Sequence, residues 1–397
     1  METLRQLFYS KYAATETKSI RNFYDEIDWT NRLIGIKGSR GVGKTTLVLQ
    51  HIKKNFKPNN EVLYASLDHL YFSENTLYNL ADQFYKKGGK LLALDEVHRY
   101  ANWSQEIKGI YDDMPELKLI ITGSSLLHLQ RTKNDLSRRA VMYQMSGLSF
   151  REYLQFETKN TLPVFKLEEL VNNHTDLSMQ VVGKLKPLAW FEDYLKHGYY
   201  PFYLENANSC HQKLSEVLLT VLEVDIPQYG MIQTSGIIYI KKLLKIISRS
   251  VPFKPNMNAL SSRTGISLNT MKNYIQLLAD ARLVSLLYVD DVGINSMNKP
   301  EKIYLENTNL MFNLADDYTE SGNLRETFFF NQTSYHHHVN AAKNTDFAVD
   351  GKYLFEVGGQ NKQQKQLLGL DQAFIVKDGI EIGSGNIIPL WMFGFLS

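Results

Sequence analysis

The chain has 397 residues, too many for one ordinary core, so two to four domains are expected. Lys and Arg number 44 against 42 Asp and Glu, which excludes a global positive field for nucleic acid and leaves any such contact to a local patch. The single cysteine, Cys210, excludes an internal disulfide, the amino-terminal METLRQLFYSKYAATE has no apolar signal core, and no run is long enough to span a bilayer, so a cytoplasmic setting without membrane is expected.

From about residue 32 to 122 short apolar runs alternate with helical patterns: RLIGIKG, a helix after Lys44, EVLYASL, a helix over Leu77, Leu80 and Phe84, KLLALDE, another helix, then LKLIITGSS. Such alternation implies an α/β fold with a parallel sheet covered by helices on both faces. Trp103, Ile107 and Ile110 fall at i, i+4 and i+7, and Trp103 reads as packing. Residues 1–150 are assigned to this domain.

Residues 151–235 are helical in pattern, with aromatic-rich FREYLQF and WFEDYLKHGYYPFYLE, and read as a helical lid or subdomain. Residues 236–299 resemble a winged helix. MNALSSRTG gives one helix with Gly265 in the turn, SLNTMKNYIQLLADA a second capped by Ser267 or Asn269, and RLVSLLYVD a wing strand. Met271, Ile275 and Leu278 form the buried stripe of the second helix. Residues 300–397 read as an α/β tail, a helix followed by strands and one more helix.

Gly38 to Thr45 spells G-x-x-x-x-G-K-T between a strand and a helix, the context that makes this string a P-loop. Gly38, Gly41 and Gly43, with Ser39, Arg40 and Val42 between them, let backbone N–H groups turn inward around a β-phosphate, and the helix that carries Thr46 adds its dipole. Lys44 would neutralise β and γ oxygens, and Thr45 would take one Mg²⁺ position. LLALDE delivers Asp95 at a strand's carboxyl end to hold Mg²⁺ through water, with Glu96 beside it to orient or deprotonate the attacking water. Residues alone therefore point to a nucleoside triphosphate with Mg²⁺.

Three short hydroxyls end the next strand, Thr122, Ser124 and Ser125, with Ser124 the first choice as γ-phosphate sensor and a helix cap as the plainer role. LSRRAVMY offers Arg138 and Arg139, either to compensate transition-state charge or as surface salt bridges.

Taken together, GSRGVGKTTL, LLALDEVHRYANW, IITGSS, LSRRA and LSFREYL resemble one AAA-type group of bacterial and archaeal ATPases, in which the ATPase core precedes a winged helix and a restriction-endonuclease-like domain. The resemblance implies ATP as the nucleotide. It makes Lys44 and Thr45 the phosphate and Mg²⁺ residues, Asp95 and Glu96 the acidic pair, Ser124 the sensor and Arg139 the arginine, acting in its own subunit or across a boundary.

The second helix of the winged-helix segment exposes Asn269, Thr270, Lys272, Asn273 and Gln276, with Arg263 and Arg282 nearby, so DNA contact competes with a packing or protein-contact role. In the tail, Asp346, Glu356 and Glu326 resemble the metal-binding acids of the endonuclease-like fold, a possible second Mg²⁺ site. A two-residue Asp350-Gly351 turn would set Asp346 and Glu356 on opposite faces; a three-residue turn of Val349, Asp350 and left-handed Gly351 would set them on one face and is preferred. Gly358 stands where that fold expects a lysine, and Lys362 could substitute only by reaching back from the following helix, so retention for binding or regulation is favoured over cleavage. His336 and His338 are expected on one face of an exposed strand. The whole reads as an ATPase whose nucleotide state controls its carboxyl-terminal modules. The rivals are a DNA-binding switch and an ATP-licensed nuclease, a protein partner is possible, and no motif fixes the oligomeric state.

Overall fold

The computed structural model describes residues 1–123, 136, 138–227, 232, 234–250, 252–290, 299–314, 321–359, 367 and 369–396. Ser124, Ser125 and Lys362 lie outside the described residues. The chain divides into two compact units, Met1–Gly147 and Leu148–Ser397.

The first unit opens with helix α1 (Glu2–Ala14) and continues as β1 (Leu33–Gly38), α2 (Lys44–Asn55), β2 (Val62–Ser66), α3 (Leu77–Lys86), β3 (Leu91–Asp95), α4 (Trp103–Asp113), β4 (Lys118–Gly123) and β5 (Val141–Met145). The strands form one sheet in the order β2-β3-β4-β1-β5, with every pairing parallel. Aliphatic side chains on both faces explain why LLALD and LIGIK fold as central strands: all five residues of β3 are buried, and so are Leu33, Ile34 and Ile36. Leu77, Leu80, Ala81 and Phe84 of α3, and Trp103, Ile107 and Ile110 of α4, are buried as their period requires.

The second unit begins with helices α5 (Phe150–Thr158), α6 (Leu167–Val182), α7 (Leu188–Asp193) and α8 (Cys210–Thr220). Between α7 and α8 the chain runs through a π-helix, Tyr194–Gly198. Asn309, itself buried, serves that irregular backbone: its Nδ2 donates to the Tyr194 and Leu195 carbonyls at 3.1 and 2.9 Å, and its Oδ1 accepts from Tyr199 N–H at 2.9 Å. Through such contacts the expected helical segment and the tail share one unit; Phe165 N–H, for example, donates to the Phe395 carbonyl at 2.8 Å.

Next come α9 (Thr234–Ser248), α10 (Met257–Thr264) and α11 (Leu268–Asp280), then the antiparallel pair β6 (Val284–Leu287) and β7 (Lys302–Leu305), joined by a bridge from Phe253 to Ile303. Gly265 adopts φ 70° at the end of α10, a left-handed conformation that glycine takes without strain. Ser267 Oγ accepts from Thr270 N–H and caps α11, while Met271, Ile275 and Leu278 are buried.

The tail contains α12 (Thr308–Leu314), α13 (Ser321–Thr333) and a mixed sheet of β8 (Val339–Ala341), β9 (Phe347–Val349), β10 (Tyr353–Gly358), β11 (Ala373–Lys377) and β12 (Ile387–Pro389), ordered β12-β11-β10-β9-β8. Phe329, Phe347, Phe355 and Phe393 fill its core. Val349 pairs with Tyr353, so the β9–β10 turn is Asp350, Gly351 and Lys352, one residue later than expected. Both Asp350 and Gly351 have positive φ, and Lys352 N–H closes the turn on the Val349 carbonyl at 3.1 Å. Phe347 opposes Phe355, so the same register extended one residue sets Asp346 opposite Glu356 on one face. His336 and His337 lie in the turn after α13 and His338 just before β8, so the expected strand face for His336 and His338 does not form there; His337 Nδ1 meets Asp350 Oδ2 at 2.7 Å instead.

Candidate phosphate-binding site

The site is built at the carboxyl ends of the first unit's strands. β1 ends at Gly38, and an added Cβ there would sit 2.3 Å from the Met145 carbonyl oxygen, so only glycine lets β1 and β5 approach at that level. The loop then turns through Gly41 and Gly43, with φ of 87° and 96°, and Gly43 starts α2. Arg21, buried and invisible as a site residue in the sequence, donates to the Val42, Ser146 and Gly147 carbonyls at 3.2, 2.6 and 2.8 Å and so ties the loop to the segment after β5.

Lys44 opens α2 with its ammonium turned into its own loop, donating to the Gly38 and Ser39 carbonyls at 3.0 and 2.9 Å. Thr45 Oγ1 donates to Asp95 Oδ2 at 2.7 Å. Asp95 Oδ2 also accepts from the Tyr64 hydroxyl of β2 at 2.6 Å, and Asp95 Oδ1 accepts from the Thr122 hydroxyl of β4. Three hydroxyls thus converge on one buried carboxylate, which removes the desolvation cost of ending an apolar strand in an acid. Burial raises the Tyr64 hydroxyl pKa, and the neighbouring Asp95 charge raises it further.

Glu96 follows with φ 51° and ψ 40°, a left-handed residue that turns the chain off the strand into the single turn Val97–Arg99. Its Oε2 lies 3.2 Å from Nε2 of His98, whose side chain is fully buried, and its N–H donates to Thr122 Oγ1 at 3.3 Å. Thr122 therefore serves the acidic pair, donating to Asp95 and accepting from Glu96. Tyr64, Arg21 and His98 are the polar groups that the motifs did not point to. Only the tyrosine within the apolar run VLYA of EVLYASL hinted at one of them.

Arg139 is placed elsewhere. It precedes β5, at the amino ends of the strands, and pairs with Asp112 at 2.8 and 2.9 Å, which holds the Asp112 carboxyl below its ordinary pKa. Because Val141 pairs with Ile34 and Met145 with Gly38, about one strand length, roughly 15–20 Å, separates Arg139 from the loop. Of the roles open to it, Arg139 forms the surface salt bridge and does not stand in the site that Lys44 occupies.

Residues 30–154 match the family described as an AAA domain. The match and the five-stranded parallel sheet fit a nucleotide-binding P-loop ATPase over these residues. Residues 188–319 match a domain of unknown function (DUF8612). An uncharacterized protein of Methanocaldococcus jannaschii is 27% identical over 402 residues, covering 92% of this chain and 84% of that protein. Among solved structures, a Walker-type ATPase of Pyrococcus abyssi is 13% identical with a TM-score of 0.40, covering 73% of this chain and 93% of that one. PCH-2 of C. elegans is 16% identical with a TM-score of 0.25, covering 44% and 47%.

In the second unit the expected acids meet a lysine. Lys302 Nζ of β7 lies 3.0 Å from Glu326 Oε2 and 3.4 Å from Asp346 Oδ1, and the Tyr304 hydroxyl donates to Glu326 at 2.6 Å. Asp346 Oδ2 accepts from Val357 N–H at 3.0 Å. Burial alone would lower the Lys302 pKa; the charges of Glu326 and Asp346 outweigh it and raise the pKa. Among the described residues no three His, Cys, Asp or Glu side chains converge as metal ligands, so the expected set of Glu326, Asp346 and Glu356 is corrected: the ammonium holds the place between two of its carboxylates. Cys210 is buried, with its thiol pushed up to about 11 by burial. No helix among the described residues is long and apolar enough to cross a membrane.

Proposed function

We propose that the chain is a Mg²⁺-dependent ATPase of AAA type, acting in the cytoplasm, whose nucleotide state governs how the second unit is presented. The observation that carries this reading is the 2.7 Å contact between Thr45 and Asp95 beside the Lys44 ammonium. Hydroxyl and carboxylate are the hard oxygen donors that suit Mg²⁺, and the lysine stands at the start of a helix that favours phosphate. The loop from Gly38 to Thr46 would hold the phosphates, with Lys44 on the β and γ oxygens, and Thr45 and Asp95 would hold the ion. When bound, Mg²⁺ supplies neutralisation of the phosphate charge. Glu96, steadied by His98 and by its own left-handed backbone, would orient or deprotonate water, and Ser124 is retained as the γ-phosphate sensor. Arg139 fits this reading only from a neighbouring copy, and the oligomeric state is open.

Residues 234–305 support a winged helix, since three helices lead into an antiparallel hairpin with a short bridge. A second reading, nucleic-acid contact, is favoured by one observation: Lys272, Asn273 and Gln276 of α11 line a cleft with Lys299, which precedes β7. The mixed sheet β8–β12 supports an endonuclease-like fold kept for binding or regulation, because Lys302 compensates the acids that cleavage would need. The test is steady-state ATP hydrolysis with Mg²⁺, with and without duplex and single-stranded DNA. Stimulation by DNA would make the helices a nucleic-acid reader; indifference would point to a protein partner; no hydrolysis under any condition would sink the ATPase reading.

A further inference from the structure

Tyr64 stands on β2 beside the acid that ends β3. Its strand partner is Ala93, which puts it on the same face as Asp95, one diagonal step along the neighbouring strand. Its hydroxyl meets Asp95 Oδ2 at 2.6 Å, and Lys11 Nζ of α1 lies 3.3 Å from the same hydroxyl and 4.9 Å from the ring centroid. The direction of this chain of bonds is fixed by chemistry. An ammonium only donates and an ionised carboxylate only accepts, so the Tyr64 oxygen accepts from Lys11 and its proton goes to Asp95.

Asp95 Oδ2 also accepts from Thr45, the hydroxyl that a loop-bound cation would recruit. Sharing or surrendering that bond on loading leaves Tyr64 as the donor still holding this oxygen, while Thr122 holds the other. We propose that Tyr64 is a positioning residue that keeps Asp95 aimed at the nucleotide-bound cation, with Lys11 orienting its hydroxyl. The inference rests on the ATPase reading above and names a residue that none of the phosphate-loop motifs contains.

Outer-shell partners of a metal ligand typically change metal affinity by roughly 10–100-fold when removed. The experiment uses the full chain and two probes: Mn²⁺ titrated in the presence of ATP and read by electron paramagnetic resonance, and ATP affinity measured calorimetrically in EDTA. Tyr64→Phe, which keeps the ring, is expected to raise half-saturation by Mn²⁺ roughly tenfold or more while ATP affinity in EDTA stays at the wild-type value and the chain remains folded, with the modest loss of stability that a missing buried hydrogen bond brings. Lys11→Met is expected to move the Mn²⁺ titration in the same direction by less. A Tyr64→Phe protein with a wild-type Mn²⁺ titration overturns the proposal, as does equal weakening in Mn²⁺ and in EDTA, which would mark a general disturbance of the loop. A wild-type chain that binds no ATP under either condition removes the ATPase reading itself, and the two failures are told apart on the wild-type protein alone.

Discussion

Arg139 grips Asp112 through Nε and a terminal nitrogen at 2.8 and 2.9 Å, at the end of the sheet away from the phosphate loop. Both side chains are partly exposed, so the pair adds little to stability. Arg139→Ala is therefore expected to leave ATP affinity of the isolated chain within about twofold of wild type, because a surface pair at the far end of the sheet contributes little to the loop. Calorimetric titration at low protein concentration checks this. Abolished binding there would contradict the placement, whereas a turnover defect that appears only as protein concentration rises would reveal an arginine used between copies.

Lys44 and Glu96 should separate binding from chemistry. Removing the Lys44 ammonium takes away the charge that offsets the phosphates, so Lys44→Ala is expected to abolish ATP binding. Glu96→Gln keeps the size of the side chain beside His98 while removing its basicity, and should keep binding while slowing turnover by roughly 10²–10⁴-fold. Parallel binding and hydrolysis measurements decide it. Equal loss of binding in both variants would remove Glu96 from its role.

The phosphate loop was legible because its chemistry is local: glycine spacing, a lysine and a threonine within eight residues need no tertiary knowledge. The same holds for Asp95 at the end of an apolar strand. What the sequence could not carry were partners brought together only by the tertiary fold. Tyr64 reaches Asp95 across 31 positions, and Arg21 reaches Gly147 across 126. Lys302 escaped notice for the same reason, since Gly358 marks the missing lysine but says nothing of a different lysine arriving from β7, 56 residues earlier by the difference between 358 and 302, to neutralise the acids. The β9–β10 turn lies one residue later than the sequence suggests, because either Val349 or Lys352 can complete a three-residue turn around Asp350 and Gly351 and only the pairing of Val349 with Tyr353 selects between them. The role of Arg139 stayed open in the sequence because a motif gives a residue's identity without saying at which end of the sheet it lies.

Lys302 should be needed to keep Glu326 and Asp346 together. All three side chains are at most 20% exposed, so removing the ammonium leaves two carboxylates facing each other with little water. Lys302→Met is expected to cost about 3 kcal/mol, near the lower end of what breaking a buried pair costs. Adding Glu326→Gln and Asp346→Asn to the same protein should recover much of that loss, because the orphaned charges go with them. Urea unfolding of the three proteins measures it. Millimolar Mn²⁺ should stabilise Lys302→Met and leave Lys44→Ala, in which Lys302 is intact, unchanged. Equal stabilisation of both would mean that the lysine does not exclude a cation.

His51 gives a pH dependence whose sign is fixed. It lies on α2, stacked on Trp29 at 3.7 Å between ring centroids, with Tyr24 and Asn55 at its Nδ1. Burial, helped by the charges of Lys118 and Lys54, pushes its pKa down from 6.5 to about 4. Between those values the unfolded chain binds a proton at this position and the folded chain does not, so stability falls as pH falls from 6.5 toward 4 and is independent of this group above 7. The full span amounts to about 3 kcal/mol as an upper figure. His51→Phe keeps an aromatic ring against Trp29 and removes the titration. Denaturant unfolding at pH 7 and pH 4.5 should therefore show a smaller loss on acidification in the variant than in wild type. Identical losses would mean that the ring is open enough to water to protonate in the folded protein.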